Sequence, residues 1–153
     1  MTTLHLMVGL PGVGKTTLAL ALAQSLPALR LSADDLQLAL FGDDVAHPDH
    51  NARHDAIEAA LWPLALGALR AGADVILDFG FWSCAERQHL RALAAAAGFG
   101  SALHVPPDPG PVTRRQRIAA RKMGFTVTAA DMAGYEALYE PPGPDELAPR
   151  PAP

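Results

Sequence analysis

Eight consecutive residues constrain this chain more than any others: Gly9-Leu10-Pro11-Gly12-Val13-Gly14-Lys15-Thr16 fits the pattern G-x-x-x-x-G-K-[ST]. An apolar run, Leu4 to Val8, precedes it and reads as a buried strand, and the Ala- and Leu-rich stretch from Gly14 to Ser25 reads as a helix. Strand, glycine turn and helix in that order build an anion site. Glycines let the backbone wrap closely and turn its N–H groups inward, while the helix start adds the positive end of its dipole. The pattern therefore predicts that Gly9, Leu10, Pro11, Gly12, Val13, Gly14, Lys15, Thr16 and Thr17 cradle a nucleoside triphosphate, ATP with magnesium. Lys15 reaches the outer phosphates in this reading, and the Thr16 hydroxyl coordinates the ion. Dinucleotide binding is excluded, since no G-x-G-x-x-G occurs. Asp78-Phe79-Gly80 spells the magnesium motif of protein kinases, but the chain has no H-R-D loop and is too short for that fold.

The rest of the chain alternates strand and helix signals. Strands are expected at Leu29 to Ser32, Val75 to Asp78 and, weakly, Ala102 to Val105. Helices are expected at Asp34 to Phe41, from about Asn51 to Arg70 with a kink or break at Pro63, from Ser83 to Gly98, over Thr113 to Lys122, and from Thr128 to Tyr139. Asp43 to Asp55 reads as a polar loop. Such alternation implies an α/β fold with a mostly parallel sheet and right-handed crossovers. Ligands of these sheets lie at the carboxyl ends of the strands. With 153 residues the chain suits one domain. That domain covers 1–140, with a lid at about 108–128. Six prolines within 141–153 leave no room for a strand and predict an extended or disordered tail.

The strand-end rule selects the remaining candidates. Asp34 and Asp35 follow the second strand. A carboxylate there would orient an acceptor hydroxyl and accept its proton, and Asp34 is preferred; the competing reading is that it caps the next helix. Asp78 ends an apolar strand, where a carboxylate can hold magnesium; the competing reading is bonding to backbone N–H groups. Arg114, Arg115, Arg117, Arg121 and Lys122 place five of the twelve basic residues within nine positions of a chain with net charge −4. At helical spacing Arg114, Arg117 and Arg121 share one face and could close over phosphate, or could simply be solvated. His47, His50 and His54 match no strong zinc spacing and read as a solvated loop. Phe81 and Trp82 divide evenly between an acceptor pocket and core. The negative charge argues against nucleic acid as the favoured partner. The single Cys84, the absence of a basic leader and the lack of a long apolar run lead to an expectation of a cytoplasmic protein with no membrane span.

Taken together, Gly9–Thr17, Ser32-Ala33-Asp34-Asp35, Val75 through Ser83, Ala85-Glu86-Arg87, Arg117 and Arg121, Phe125-Thr126-Val127-Thr128 and Glu140-Pro141-Pro142-Gly143-Pro144-Asp145-Glu146 resemble small bacterial predicted kinases of the AAA-family ATP-binding type. That group is similar to polynucleotide kinase, chloramphenicol phosphotransferase and zeta toxin. The resemblance runs from residue 1 to about 147. It implies a three-layer P-loop kinase core with strand order 2-3-1-4-5. It also implies ATP held by Lys15, Thr16 and the loop, Asp34 facing a small-molecule hydroxyl, and Arg117 and Arg121 in the lid. This chain departs from the pattern in four places. Gln37 stands where polynucleotide kinases tend to carry Arg, 103–113 is short, Lys122 replaces an Asn, and the fifth strand is missing or degenerate. The expected order is then 2-3-1-4.

Overall fold

The first strand, β1 (Thr3–Val8), is buried on both faces because helices cover both faces of the sheet it centres. The structure is a computed structural model and describes residues Met1 to Pro153. The other strands are β2 (Ala28–Leu31), β3 (Asp74–Gly80) and β4 (Gly100–His104). All pair in parallel in the order β2-β3-β1-β4, which is the expected topology. The helices are α1 (Lys15–Ser25), α2 (Ala33–Phe41), α3 (His50–Arg70), α4 (Cys84–Ala96), α5 (Pro111–Ala120), α6 (Ala129–Leu138) and the single turn α7 (Pro144–Leu147).

Side-chain alternation divides the core in two. Leu4, Leu6 and Val8 join Val75, Leu77 and Leu103 against Ala65 and Leu69 of α3 and Ala94 of α4. Met7 and Ile76 point the other way, onto Ala19 of α1. Full burial of a Leu, Ile or Val side chain contributes roughly 1.5–3 kcal/mol, so this double cover fixes the sheet and the strand ends that carry the site. The caps follow the sequence. Ser32 accepts from Asp35 N at 3.2 Å, and Ser83–Glu86 and Thr128–Asp131 form reciprocal boxes.

Three expectations need correction. The helix α3 begins at His50, inside the stretch expected to be loop, and passes through Pro63 without a break. Its amphipathic burial, Ile57, Leu61, Ala65 and Leu69, outweighs one lost backbone bond. The helix α5 stops at Ala120, so Arg121 is an extended capping residue rather than part of a helical face. The third correction concerns the tail, which is extended but docked. Arg150 exchanges backbone bonds with Ser101 at 2.8 Å each way, an antiparallel bridge on the open edge of β4. Glu146 pairs with Arg87, and the Arg91 guanidinium donates to the carbonyls of Glu146 and Ala148. Proline has no N–H to give a sheet, yet the carbonyls of Glu146 and Ala148 still accept, and the buried Arg91 uses both.

Candidate functional site

The loop after β1 is tight because its neighbours leave no room for side chains. At Gly12, with φ +84°, a Cβ would lie 2.6 Å from the Arg114 carbonyl oxygen, so α5 can sit directly over the loop only if this residue is glycine. The loop opens with Gly9 N–H donating to Gly80 O at 2.9 Å and ends at Gly14, where no side chain caps α1. The first N–H groups of α1 thus stay available to an anion. Lys15 arches back so that its Nζ donates to Leu10 O at 2.9 Å. Burial pushes this ammonium down to about 8, against the pull of Asp78 and Asp34, and nearby Arg121 lowers it further. A cation held that way lacks a full counter-charge and gains by meeting an anion.

The ends of β2 and β3 bring the carboxylates to the same place. Thr16 Oγ1 donates to Asp78 Oδ2 at 3.0 Å, which ties the start of α1 to the end of β3. The buried Asp78 also accepts from Arg30, at 3.1 Å from Nε and 2.6 Å from NH2. Neither partner is the backbone N–H of the competing reading. Arg30 escaped notice in the sequence. The signal was parallel register: Arg30 sits beside Ile76, and Asp78 lies two residues further along the same face of β3. Asp34 does not cap α2, because Ser32 does. Its exposed carboxylate instead accepts from His54 Nε2 at 3.0 Å. His54 was read as solvated loop; its spacing of four from Glu58 on what proves to be a helix was the missed signal.

The lid side is mixed. Arg117 NH1 donates to Gly12 O and Val13 O at 3.2 and 3.3 Å, so it reaches the phosphate loop. Arg121 bonds the Phe125 carbonyl and faces the same cleft as Lys15. Arg114 does not join them. It is buried and held by Asp108 and Glu136, bracing α5 against α6. Asp43 accepts from Thr126 N and Oγ1, and His50 meets the Phe125 ring edge-on at 5.0 Å, so the α5–α6 loop touches the α2–α3 loop. Gln37 is buried and donates to Asp44 at 3.0 Å, a structural pin where an Arg had been the comparison. Phe81 belongs to the core, at φ +46°, with its carbonyl fixed by Arg87. Trp82 bonds Gly9 O at 3.2 Å and stacks on Tyr135 with centroids 4.6 Å apart. His47, His50 and His54 do not converge, and no group of three or more His, Cys, Asp or Glu is placed to hold a metal ion. No helix is long and apolar enough to cross a membrane.

The family model of the AAA domain matches residues 4–142. No curated protein sequence matches the chain. Among solved structures, one chain of a Pnkp1/Rnl/Hen1 RNA repair complex superposes with TM-score 0.75 at 18% identity, covering 99% of this chain and 49% of that one. The chain therefore spans about half the length of that relative. Kti12 of Chaetomium thermophilum, solved with ADP-AlF3, gives 0.69 at 22% identity over 93% of this chain and 82% of its own. A sugar kinase from Janibacter sp. HTCC2649 gives 0.68 at 20% identity, covering 95% and 82%. These likenesses establish a P-loop kinase fold.

Proposed function

The chain belongs to the AAA-domain family, and on that premise we propose that it is an ATP-dependent phosphotransferase acting on a hydroxyl of a small molecule. One observation carries the reading: Lys15, the Thr16–Asp78 pair, Asp34 and Arg117 meet at one end of a parallel sheet, where ligands of such folds bind. The phosphate loop and the α1 N-terminus hold the triphosphate, with Lys15 turning from the Leu10 carbonyl to phosphate oxygens. Thr16 and Asp78 would supply the hard oxygen donors that suit magnesium, and the ion would lend its positive charge against that of the phosphates. Asp34 accepts the proton of the attacking hydroxyl. Arg117 exchanges its carbonyl partners for the transferring phosphoryl group, whose charge its planar fork matches.

The acceptor is the open part of this reading. The RNA-repair likeness brings nucleic acid to mind, but Arg114 is consumed by Asp108 and Glu136, which breaks the basic stripe a polynucleotide would follow. A small acceptor is favoured. A second reading, nucleotide hydrolysis or switching without an acceptor, draws support from the contact between Thr126 and Asp43, which ties the α5–α6 loop to the α2–α3 loop without an acceptor present. The discriminating experiment incubates the protein and Mg-ATP, labelled on the γ-phosphate, with nucleosides, sugars, antibiotics and oligonucleotides. Label on a small hydroxyl compound, lost in Lys15→Ala and in Asp34→Asn, is expected. Free phosphate alone across the panel selects the second reading, and no ATP binding by calorimetry overturns both.

A further inference from the structure

Asp34 is an exposed side chain, 59% accessible, on the first turn of a helix, and such carboxylates ordinarily sample several rotamers. Here it is clamped. His54 Nε2 lies 3.0 Å from Asp34 Oδ1, and His54 Nδ1 lies 3.5 Å from Glu58 Oε1, one helical turn further along α3. The imidazole is only 24% exposed and Glu58 28%, so the bridge from α2 to α3 is shielded from water on its α3 side. We propose that His54 is a positioning residue for phosphoryl transfer: it holds Asp34 by one oxygen so that the other faces the acceptor hydroxyl, and Glu58 sets the His54 tautomer. The inference rests on the role given to Asp34 above.

The proton inventory follows from the atoms. A carboxylate accepts only, so the nitrogen facing Asp34 must carry hydrogen. The other nitrogen shares a proton with Glu58, either as Nδ1–H donating to a carboxylate or as a carboxylic O–H donating to Nδ1. Either way Nε2–H points at Asp34. Remove that proton and Nδ1 presents a lone pair to an ionised Glu58; the ring then gains by turning over, and the bond to Asp34 is lost. The neighbours make this happen near neutrality. The hydrogen bond to Asp34 raises His54, burial opposes it, and Glu58 and Asp55 raise it. Burial pushes Glu58 up to about 7 despite His54, with Glu86 of α4, Asp55 and Asp34 adding to the rise. On the other side, Lys15 faces Asp34, and Tyr135 and Arg121 stand beside it. His50 is the nearest other imidazole, with ring centroids 6.5 Å apart. During transfer the acceptor O–H bond breaks, its proton goes to the free Asp34 oxygen, and the new O–P bond forms as ADP leaves. His54 keeps its own proton throughout.

Turnover should accordingly fall as pH rises past about 7, when the shared proton leaves. The test uses the full chain with Mg-ATP and water as the acceptor, read as phosphate release across pH 5.5–9.5, roughly two units either side of the expected midpoint. Hydrogen-bond partners that orient a reactive or ligating group are typically worth about 10–100-fold. His54→Ala should lose that much turnover with ATP affinity unchanged, and His54→Gln, which can still donate to Asp34, should recover most of it without the falling limb. Glu58→Gln, a permanent donor to Nδ1, should remove the falling limb. In parallel, nitrogen-15 histidine NMR of the nucleotide-free protein should find Nε2 protonated and the imidazole titrating at lower pH in Asp34→Asn. Full turnover and an unshifted limb in His54→Ala overturn the proposal, as does an imidazole indifferent to Asp34→Asn. Should the wild type bind ATP and release no phosphate to water, the turnover arm is read with the acceptor that the labelled panel identifies; a panel with no labelled acceptor and no free phosphate fails the phosphotransferase reading by itself, and the NMR arm still decides whether His54 holds Asp34.

Discussion

Two helices carry arginines toward the centre of this molecule, and they use them in opposite ways. On α4, Arg87 and Arg91 are completely buried. Arg87 meets both oxygens of Glu146 at 2.9 Å and also donates to the Phe81 and Trp82 carbonyls. Arg91 reaches Ser101 and two tail carbonyls. Every direction in which these guanidiniums point is filled. On α5, Arg117 is exposed and bonded only to two carbonyls of the phosphate loop, and just past the end of the helix Arg121 bonds one carbonyl of its own loop. A guanidinium on carbonyls alone holds charge without a counter-charge, and an anion can displace those partners. The buried guanidiniums, Arg114 of α5 among them, are rivets, and Arg117 is a free hand. The distinguishing feature is enclosure: Arg87 and Arg91 are buried with their donors spent on fixed partners, whereas Arg117 stays open to solvent.

The sharpest way to break this contrast is to cut the rivet. Arg87→Met leaves Glu146 mostly buried without its partner, and breaking such a pair costs roughly 3–5 kcal/mol. Urea unfolding should show that loss, with the tail released to proteolysis. A change below about 1 kcal/mol would mean the tail is not clasped. Acid reaches the same contact more gently. The Arg87 bond holds Glu146 down to about 2, from an ordinary value near 4.5. The stability it contributes is therefore fully present above about 4.5 and is lost as pH falls toward 2, up to about 3 kcal/mol. The acid limb of unfolding should flatten in Glu146→Gln.

Arg117→Ala tests the free hand. Unfolding stability should stay within about 0.5 kcal/mol of wild type, while phosphate transfer falls about a hundredfold, as when one donor to a developing negative charge is removed. If stability collapses and turnover per folded molecule does not change, Arg117 is structural and the contrast with Arg87 dissolves.

How much of this was legible beforehand differs between the two regions for a physical reason. The phosphate loop and the capping pairs Ser83–Glu86 and Thr128–Asp131 are local: each is a short spacing whose chemistry needs no distant partner; the strand order comes instead from the family resemblance. Arg30 on Asp78, His54 on Asp34 and the Arg87–Glu146 clasp join residues 48, 20 and 59 positions apart. Only register and packing reveal those. Composition misled at the tail, where proline excludes sheet pairing for its own N–H but leaves Arg150 and the carbonyls of Glu146 and Ala148 free to bond. Helical spacing misled at Arg121, because α5 ends one residue earlier.

The smallest effect concerns the link between the lid that bears the free arginines and the body of the molecule. Thr126 donates its N–H and its hydroxyl to Asp43, across from α2. The N–H bond survives in Thr126→Val, so the substitution removes only the hydroxyl contact, and Asp43 is exposed enough for water to replace it. A net hydrogen bond is worth about 0.5–1.5 kcal/mol at most, and less in the open. Thermal unfolding should barely move. The lid, however, is held by few other contacts with the α2–α3 loop, notably the Phe125–His50 edge. The same fraction of a kilocalorie therefore acts almost wholly on opening. Dissociation of a fluorescent ATP analogue should quicken by about two- to fivefold, with Arg117 still able to reach the phosphates when the lid is shut. An unchanged off-rate would mean that α5 itself, packed on Gly12, holds the nucleotide side closed, and that the arginines of α5 are less free than their exposure implies.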